Sequence, residues 1–447
     1  MIRYLGGLSV IFFGVLLSHA VAIAEPLPIK DLAELFQQAR QFDPTFRQAQ
    51  GRVRIAIESQ TEASSALRPV VALSAARASV SQAESARGGL VDQLDLMSAN
   101  QSIQLTQPIY RPALLAQIRQ AGEVTDASYF QQQAAEFDLA ARLMRALIQV
   151  STADAVVKLQ SERQGLAKTE YLAAIAKEAA GDVSVTDVRE SEATLALVSA
   201  ELWAAESALR VAREQVHAIA GLRISVDSMN ELLEPVLSQR VIQEARLPGD
   251  WSWIAAVLPE TPEVQAAQAQ VRAADHAISV ARAGYLPTLD LNLRRTHSKS
   301  ESLQSSPNSA YLTTQIGISM NWSLYQGGGT DAATRRAIEV AENARLALAE
   351  VELRVSERLK SLQSDLESTQ NAFGAYELQV RAGAERLTGL KRAQALGLAS
   401  RLEVSQAELK LAEYRKALLQ ARDQVVLLRA SLRISSGQMP KFFIMKN

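Results

Sequence analysis

The chain repeats itself at a distance of about 216 residues, and this duplication restricts its architecture more than any single motif does. Gly181-Asp-Val-Ser184-Val-Thr-Asp187-Val188 returns as Gly397-Leu-Ala-Ser400-Arg-Leu-Glu403-Val404, with glycine, serine, an acid and valine in one register. The correspondence runs far beyond that segment. Asp43-Pro44, Ala49-Gln50 and Val53-Arg54 return as Thr261-Pro262, Ala267-Gln268 and Val271-Arg272, Leu67-Arg-Pro69 returns as Tyr285-Leu-Pro287, and Tyr110 returns as Tyr325. Each motif must therefore be read as part of a supersecondary unit used twice.

Two stretches without proline, about Ala113 to Ala180 and about Asp331 to Leu396, carry helical periodicity. A second helical segment of roughly 40 residues follows each, and each pair folds back at the repeated Gly-x-x-Ser. Their apolar positions are heptad-like: Leu139, Leu143, Ala146 and Val150 in one, Val355, Leu359, Leu362 and Leu366 in its counterpart. A helix of about 67 residues extends roughly 100 Å at 1.5 Å per residue. That length is too great for a globular domain, and four such helices alone leave much of their seam uncovered. Only 5% of residues are aromatic, and the residue supply is dominated by helix formers.

Between the helical pairs the period changes to two. Thr288 to Arg294 places Leu289, Leu291 and Leu293 on one face and Asp290, Asn292 and Arg294 on the other. Leu312 to Leu324 alternates in the same way, with Leu312, Ile316, Ile318, Met320, Trp322 and Leu324 opposed to Thr313, Gln315, Ser319, Asn321 and Ser323. The first half has weaker counterparts at Val71 to Ala75 and Ser102 to Thr106. Polar stretches from about Val80 to Ala99 and from His297 to Ser309 read as exposed loops. Tyr110, Tyr285, Trp322 and Tyr325 stand near strand ends, consistent with a membrane-interface girdle, although a sandwich edge has the same alternation.

The termini and the joint between halves read separately. Residues 1–24, with Arg3, an apolar run and Ala22-Ile23-Ala24, resemble a cleaved secretory signal, an uncleaved anchor being the alternative. Residues 25–220 form the first repeat, 221–261 a linker or equatorial region with Pro235, Pro248, Pro259, Trp251 and Trp253, 262–437 the second repeat, and 438–447 a tail. With 47 basic and 48 acidic side chains, nucleic acid is not an expected partner. The absence of Cys removes disulfides and thiolate chemistry. His19, His217, His276 and His297 have no metal-ligand spacing, and Gly327-Gly-Gly329-Thr330 lacks the lysine of a phosphate loop, so no cofactor, metal or catalytic group is expected.

An export signal and a duplicated plan of helix, two strands, long helix, hairpin and helix together resemble the TolC family of outer-membrane efflux ducts. Asp43-Pro44, Leu286-Pro287-Thr288-Leu289-Asp290-Leu291 and Leu324-Tyr325-Gln326-Gly327-Gly328 carry the resemblance, which covers about Asp31 to Gly437. It implies a mainly α fold with a membrane β-barrel part: a homotrimer sharing a 12-stranded barrel, four strands per chain, continued by an α-helical coiled-coil tunnel through the periplasm. It further implies a Gram-negative outer-membrane exit duct working with a periplasmic adaptor and an inner-membrane ABC or RND transporter, with type I protein secretion ahead of drug or metal efflux. A soluble periplasmic coiled-coil adaptor or structural rod is the alternative.

The same resemblance assigns a periplasmic pore constriction to Asp187, beside Thr186, and to Glu403 and Gln406. Carboxylates from three subunits would concentrate cations there. Acids on a first helical turn also complement the helix dipole, and Ser184 and Ser400 suit them as caps. The hairpin tips around Gly181, Ser184, Gly397 and Ser400 are the implied adaptor surface, though glycine at a helix end also simply makes a turn. The family's locking partners fall on Gln394 and Ala399, which leaves Arg392 or Arg401 as replacement donors to Asp187. Arg294, Arg295 and Lys299 fall towards a loop, where lipopolysaccharide or plain solvent would meet them.

Overall fold

The computed structural model describes residues 31–85, 91–237, 250–302, 309–440 and 443. The expected signal segment lies outside them.

The first half comprises α1 (Leu32–Phe42), α2 (Pro44–Ser65), strands β1 (Val70–Ser85) and β2 (Val91–Tyr110), and the long hairpin of α3 (Pro112–Ala179) and α4 (Val185–Ala220). The joint contributes α5 (Val226–Leu237) and α6 (Ser252–Val257). The second half repeats the plan with α7 (Pro262–Arg282), β3 (Thr288–Ser302), β4 (Ser309–Asn321), α8 (Gly329–Ala395) and α9 (Arg401–Ser435). Residue chemistry sets these boundaries. Pro44, Pro112 and Pro262 sit in the first turns of α2, α3 and α7, where a missing N–H costs nothing. Asp31 and Asp43 cap α1 and α2 by accepting from the Glu34 and Phe46 amides, each at 2.8 Å.

The core is concentrated around the middle of α3. Leu139, Leu143, Met144, Leu147 and Val150 are fully buried against Phe36 of α1, Phe46 of α2, Val216 of α4, Met229 and Leu233 of α5, Leu359 of α8 and Val425 of α9. The heptad positions of the second repeat, Val355, Leu359 and Leu366, are buried like their counterparts. Towards the hairpin end the seam thins, and Phe373, Tyr376 and Val380 are only half-buried. Large apolar side chains elsewhere on the helices face outward, Trp203 at 71%, Leu353 at 67% and Leu378 at 64% exposure. The chain exposes 29292 Å², against the roughly 17,000 Å² expected of a compact monomer of its mass.

The four strands form one antiparallel sheet in the order β1-β2-β3-β4, so the two repeats meet at the β2–β3 pair. Registers align Val71, Leu105, Leu293 and Ile316 across one face, with Ile318 beside Leu291 and Met320 beside Leu289. The opposite face carries Thr106, Asn292, Gln104, Arg294, Gln315, Thr296 and Thr313. It is laced by hydrogen bonds from the Thr106 hydroxyl to Asn292 at 3.2 Å, from the Asn292 amide to Ser319 at 2.9 Å and between the Ser74 and Ser102 hydroxyls at 2.8 Å.

Three sequence expectations are corrected. The stretches taken as loops, 80–99 and 297–309, are mostly strand, because β1, β2 and β3 continue as paired backbone beyond the apolar rows. Polar side chains there conceal the ladder from a hydrophobic-periodicity reading. Conversely, β4 stops at Asn321, so Trp322 to Leu324 is not strand. The chain there turns into α8 through Gly327 and Gly328, at φ 61° and 81°, a left-handed backbone suited to glycine. Finally, Arg294, Arg295 and Lys299 all lie within β3 as paired strand residues rather than towards a loop, Arg294 on the polar face and the other two on the face of Leu291 and Leu293.

Candidate functional site: the hairpin tips and the strand ends

The two hairpin turns are built alike. Both α3 and α8 end in a left-handed glycine, Gly181 at φ 81° and Gly397 at φ 73°. In each, the residue after glycine reaches back into the helix: Asp182 N–H to Lys177 O at 2.9 Å, Leu398 N–H to Ala393 O at 2.8 Å. The next helix then opens with a reciprocal cap. Ser184 Oγ accepts from the Asp187 amide at 3.3 Å while Asp187 Oδ2 accepts from the Ser184 amide at 2.8 Å. Ser400 and Glu403 repeat this at 3.2 and 2.8 Å.

These contacts favour the ionised form of both carboxylates. The Ser184 amide, then its hydroxyl, holds the Asp187 carboxyl below the usual range, and Ser400 does the same to Glu403. Both acids are exposed, as are Thr186 and Gln406, so each tip presents a fixed negative charge to solvent rather than to the helix interior. Within the single chain Asp187 is hydrogen-bonded to both the amide and the hydroxyl of Ser184. Arg392 is exposed at the end of α8, while the side chain of Arg401 lies outside the described residues.

Sequence reasoning missed the apolar part of these tips. Val185, Leu396 and Leu398 flank the turns and are 62%, 74% and 79% exposed. Leu398 follows the helix-terminating glycine, where a side chain commonly folds back on its own helix. Lying open instead, it adds an apolar patch next to the charged caps.

The aromatic residues occupy the end of the sheet nearest the helices. The Tyr285 hydroxyl donates to Asp331 in the first turn of α8, and Trp322 Nε1–H donates to the Tyr285 carbonyl at 3.0 Å. Tyr110 pairs with Leu289 across a bulge in β2. Tyr325 is the most exposed, at 86%. Nearby, Arg111 forms a two-pronged ion pair with Asp290, at 2.9 and 2.7 Å, tying the start of α3 to the polar face of β3. This tie had no local sequence signal, since its partners are 179 residues apart. Among the described residues there is no group of acids and histidines arranged to hold a metal, and no helix long and apolar enough to cross a membrane.

Residues 253–438 match the family model described as outer membrane efflux protein. The chain is 24% identical to the outer membrane efflux protein BepC of Brucella suis over 64% of its own length and 60% of BepC. It is also 24% identical to the proteases secretion protein PrtF of Dickeya chrysanthemi, over 58% of this chain and 55% of PrtF. The alignments thus span little more than half of these two relatives. The match to the outer membrane protein TolC of Vibrio cholerae is 22% identical over 93% of this chain and 92% of that protein. Among solved structures, the outer-membrane channel OprN superposes with a TM-score of 0.73 at 19% identity, covering 90% of this chain and 89% of OprN. That likeness establishes the fold.

Proposed function

We propose that this chain, a member of the outer membrane efflux protein family with a TolC-like fold, is the exit duct of a tripartite export system. Family members are channels of the Gram-negative outer membrane that extend into the periplasm. In our reading, cargo enters from an inner-membrane transporter through a periplasmic adaptor and leaves through a pore built by three copies of the chain. The observation that carries this is the four-stranded sheet, apolar on one face and polar on the other, with β1 and β4 each unpaired along one edge. Open edges cannot stand in hydrocarbon, because each unpaired N–H and C=O lacks a partner there. Joining β4 of one copy to β1 of the next removes every edge, and three copies supply a 12-stranded barrel. Its apolar face meets lipid, and Asp290, Asn292, Arg294, Thr313 and Gln315 line water.

In the same reading Asp187 and Glu403 would stand at the periplasmic mouth, where three copies of each would form rings selective for cations. Val185, Leu396 and Leu398, with the turns at Gly181 and Gly397, form the surface offered to the adaptor. For cargo, protein secretion by an ABC-type system is the first reading, supported by the resemblance to a proteases secretion protein. Efflux of small molecules is the second, supported by the equally similar efflux protein.

Outer-membrane fractions should yield a trimer that dissociates only on heating in detergent and conducts ions in planar bilayers. Neutralising Asp187 and Glu403 together should weaken block by divalent cations and alter conductance. A monomer without conductance would instead identify a periplasmic rod, and unchanged block in the double variant would remove the carboxylate rings from the mechanism.

A further inference from the structure

The apolar face of the sheet ends in a group of basic side chains. Along this face the rows run Leu289, Leu291 and Leu293 on β3, then Arg295 beside Ile103 and Thr314, His297 beside Gln101 and Leu312, and Lys299 beside Ala99 and Ala310. On β1, Arg77 pairs with the other side of Ala99, so Arg77 and Lys299 flank one alanine in a single row. Two strand spacings separate them, about 10 Å. The small Ala99 leaves a depression of about 450 Å³ between them, lined also by Ala75, Met97 and Gln101.

Position and charge both bear on its occupant. Lys299 lies ten residues beyond Leu289, about 33 Å along the strand at 3.3 Å per residue, which a tilt of about 40° reduces to roughly 25 Å. That equals the height of the apolar band of an outer-membrane barrel, so the row falls at the outer leaflet's headgroups. Arg295, four residues lower, lies about 10 Å beneath that level on the same geometry, so its extended stem brings the guanidinium towards the headgroups without reaching the row itself. Several arginines that bridge elements, Arg111, Arg142, Arg163, Arg272 and Arg358, are matched to acids. Among the described residues no carboxylate pairs with Arg77, Arg295 or Lys299, all of which are exposed. Cations facing lipid without an internal counter-charge are costly unless the lipid supplies one.

We propose that the depression between Arg77 and Lys299, extended by Arg295, binds the phosphorylated headgroup of an outer-leaflet glycolipid. This rests on the barrel reading above. Arg77 and Lys299, in one row, would hold such a lipid's phosphate through charge-assisted hydrogen bonds, with Arg295 beneath them adding attraction at longer range, while its chains lie on Ile103, Leu293 and Leu312. The lipid would thereby fix the barrel's height in the membrane.

The test uses the full-length assembled protein in nanodiscs, with native mass spectrometry counting retained lipid. The probes are bisphosphorylated lipid A and the same lipid with both phosphates removed. Wild-type protein should retain the phosphorylated form preferentially. The Arg77→Gln/Lys299→Gln double variant should lose that preference by about tenfold or more, at the usual strength of a basic residue near an anionic surface. A charge-matched control, Arg335→Gln/Arg336→Gln on α8, should not. Equal retention of both lipids, or equal loss in both variants, overturns the site. Trimer migration and conductance are measured on the same samples. If they are intact while lipid retention ignores the charges, this inference falls alone; if no trimer forms, the barrel reading falls and takes the site with it.

Discussion

Asp43 shows how much a single side chain carries in the joint between α1 and α2. It accepts from the Phe46 amide as the cap of α2 and receives both arms of Arg142 from α3, at 2.9 and 3.1 Å, while only 3% exposed. Burial alone would raise its pKa, but Arg142 and the Phe46 amide outweigh this and leave it below the usual range. Asp43→Ala removes a cap and both arms of the Arg142 fork while leaving Arg142 its ion pair with Asp138 at 2.8 Å, and should cost about 2–3 kcal/mol in thermal or denaturant unfolding. The depressed pKa sets the sign of the pH effect: this stability is present above the unfolded-state pKa and is lost as pH falls through the folded-state value. Asp43→Asn should therefore flatten the acid limb of the stability curve. The second repeat solves the problem differently, since Thr261 makes no such cap and Arg358, the counterpart of Arg142, pairs with Glu263 at 2.7 Å. Asp187 and Glu403 follow the same linkage at the tips. Their caps favour the ionised form, so block by divalent cations should persist into acid and disappear only below the ordinary carboxylate range. Conductance recorded against pH with a fixed concentration of divalent ion checks this, and loss of block nearer neutrality would contradict it.

At the scale of elements, each hairpin depends on a backbone that only its glycine adopts cheaply. No atom stands within 4 Å of the place a Cβ would occupy on Gly397, so the cost of Gly397→Ala is conformational rather than steric, about 1 kcal/mol. Hydrogen exchange should show α8 fraying over its last turn in this variant, with the core around Leu359 unchanged. Protection that stays wild-type throughout would mean the turn tolerates alanine without strain. These turns were fully legible in the sequence, because glycine, serine and an acid at fixed offsets specify a helix end and a reciprocal cap by local chemistry alone. The helix read over about Ala113 to Ala180 spans Pro112–Ala179, its far end set by the same turn and its start by the proline in its first turn. The strands were less so: only their apolar portions alternate, and the extensions to Ser85 and Ser302 are held by backbone pairing that polar side chains do not announce. The tie of Arg111 to Asp290 was invisible, since nothing local to either residue implies the other. The open position of Leu398 was invisible too, because an apolar residue after a terminating glycine normally predicts burial.

At the scale of the molecule, the single chain exposes far more surface than a compact monomer of its mass, and among the described residues its sheet has two open edges, on strands of 16 and 13 residues. Assembly would answer both, since the exposed apolar side chains of the helices and the unpaired strand edges lie on the same elongated unit. The two faces of the sheet then make opposite predictions from substitutions of one kind. Ile316 lies on the apolar face opposite Leu293 and is 71% exposed, while Thr313 lies on the polar face opposite Thr296. Lysine at a mid-barrel lipid-facing position costs about 2–4 kcal/mol per subunit, and three subunits pay it together. Ile316→Lys should therefore reduce the heat-dissociable trimer recovered from outer-membrane fractions and lower the temperature at which it separates. Thr313→Lys places its charge in water, so the trimer should form normally while conductance and cation selectivity fall. If the two variants behaved alike, the faces would not be divided between lipid and water; if Thr313→Lys disrupted assembly and Ile316→Lys did not, the barrel would be inverted relative to the alternation read from its strands.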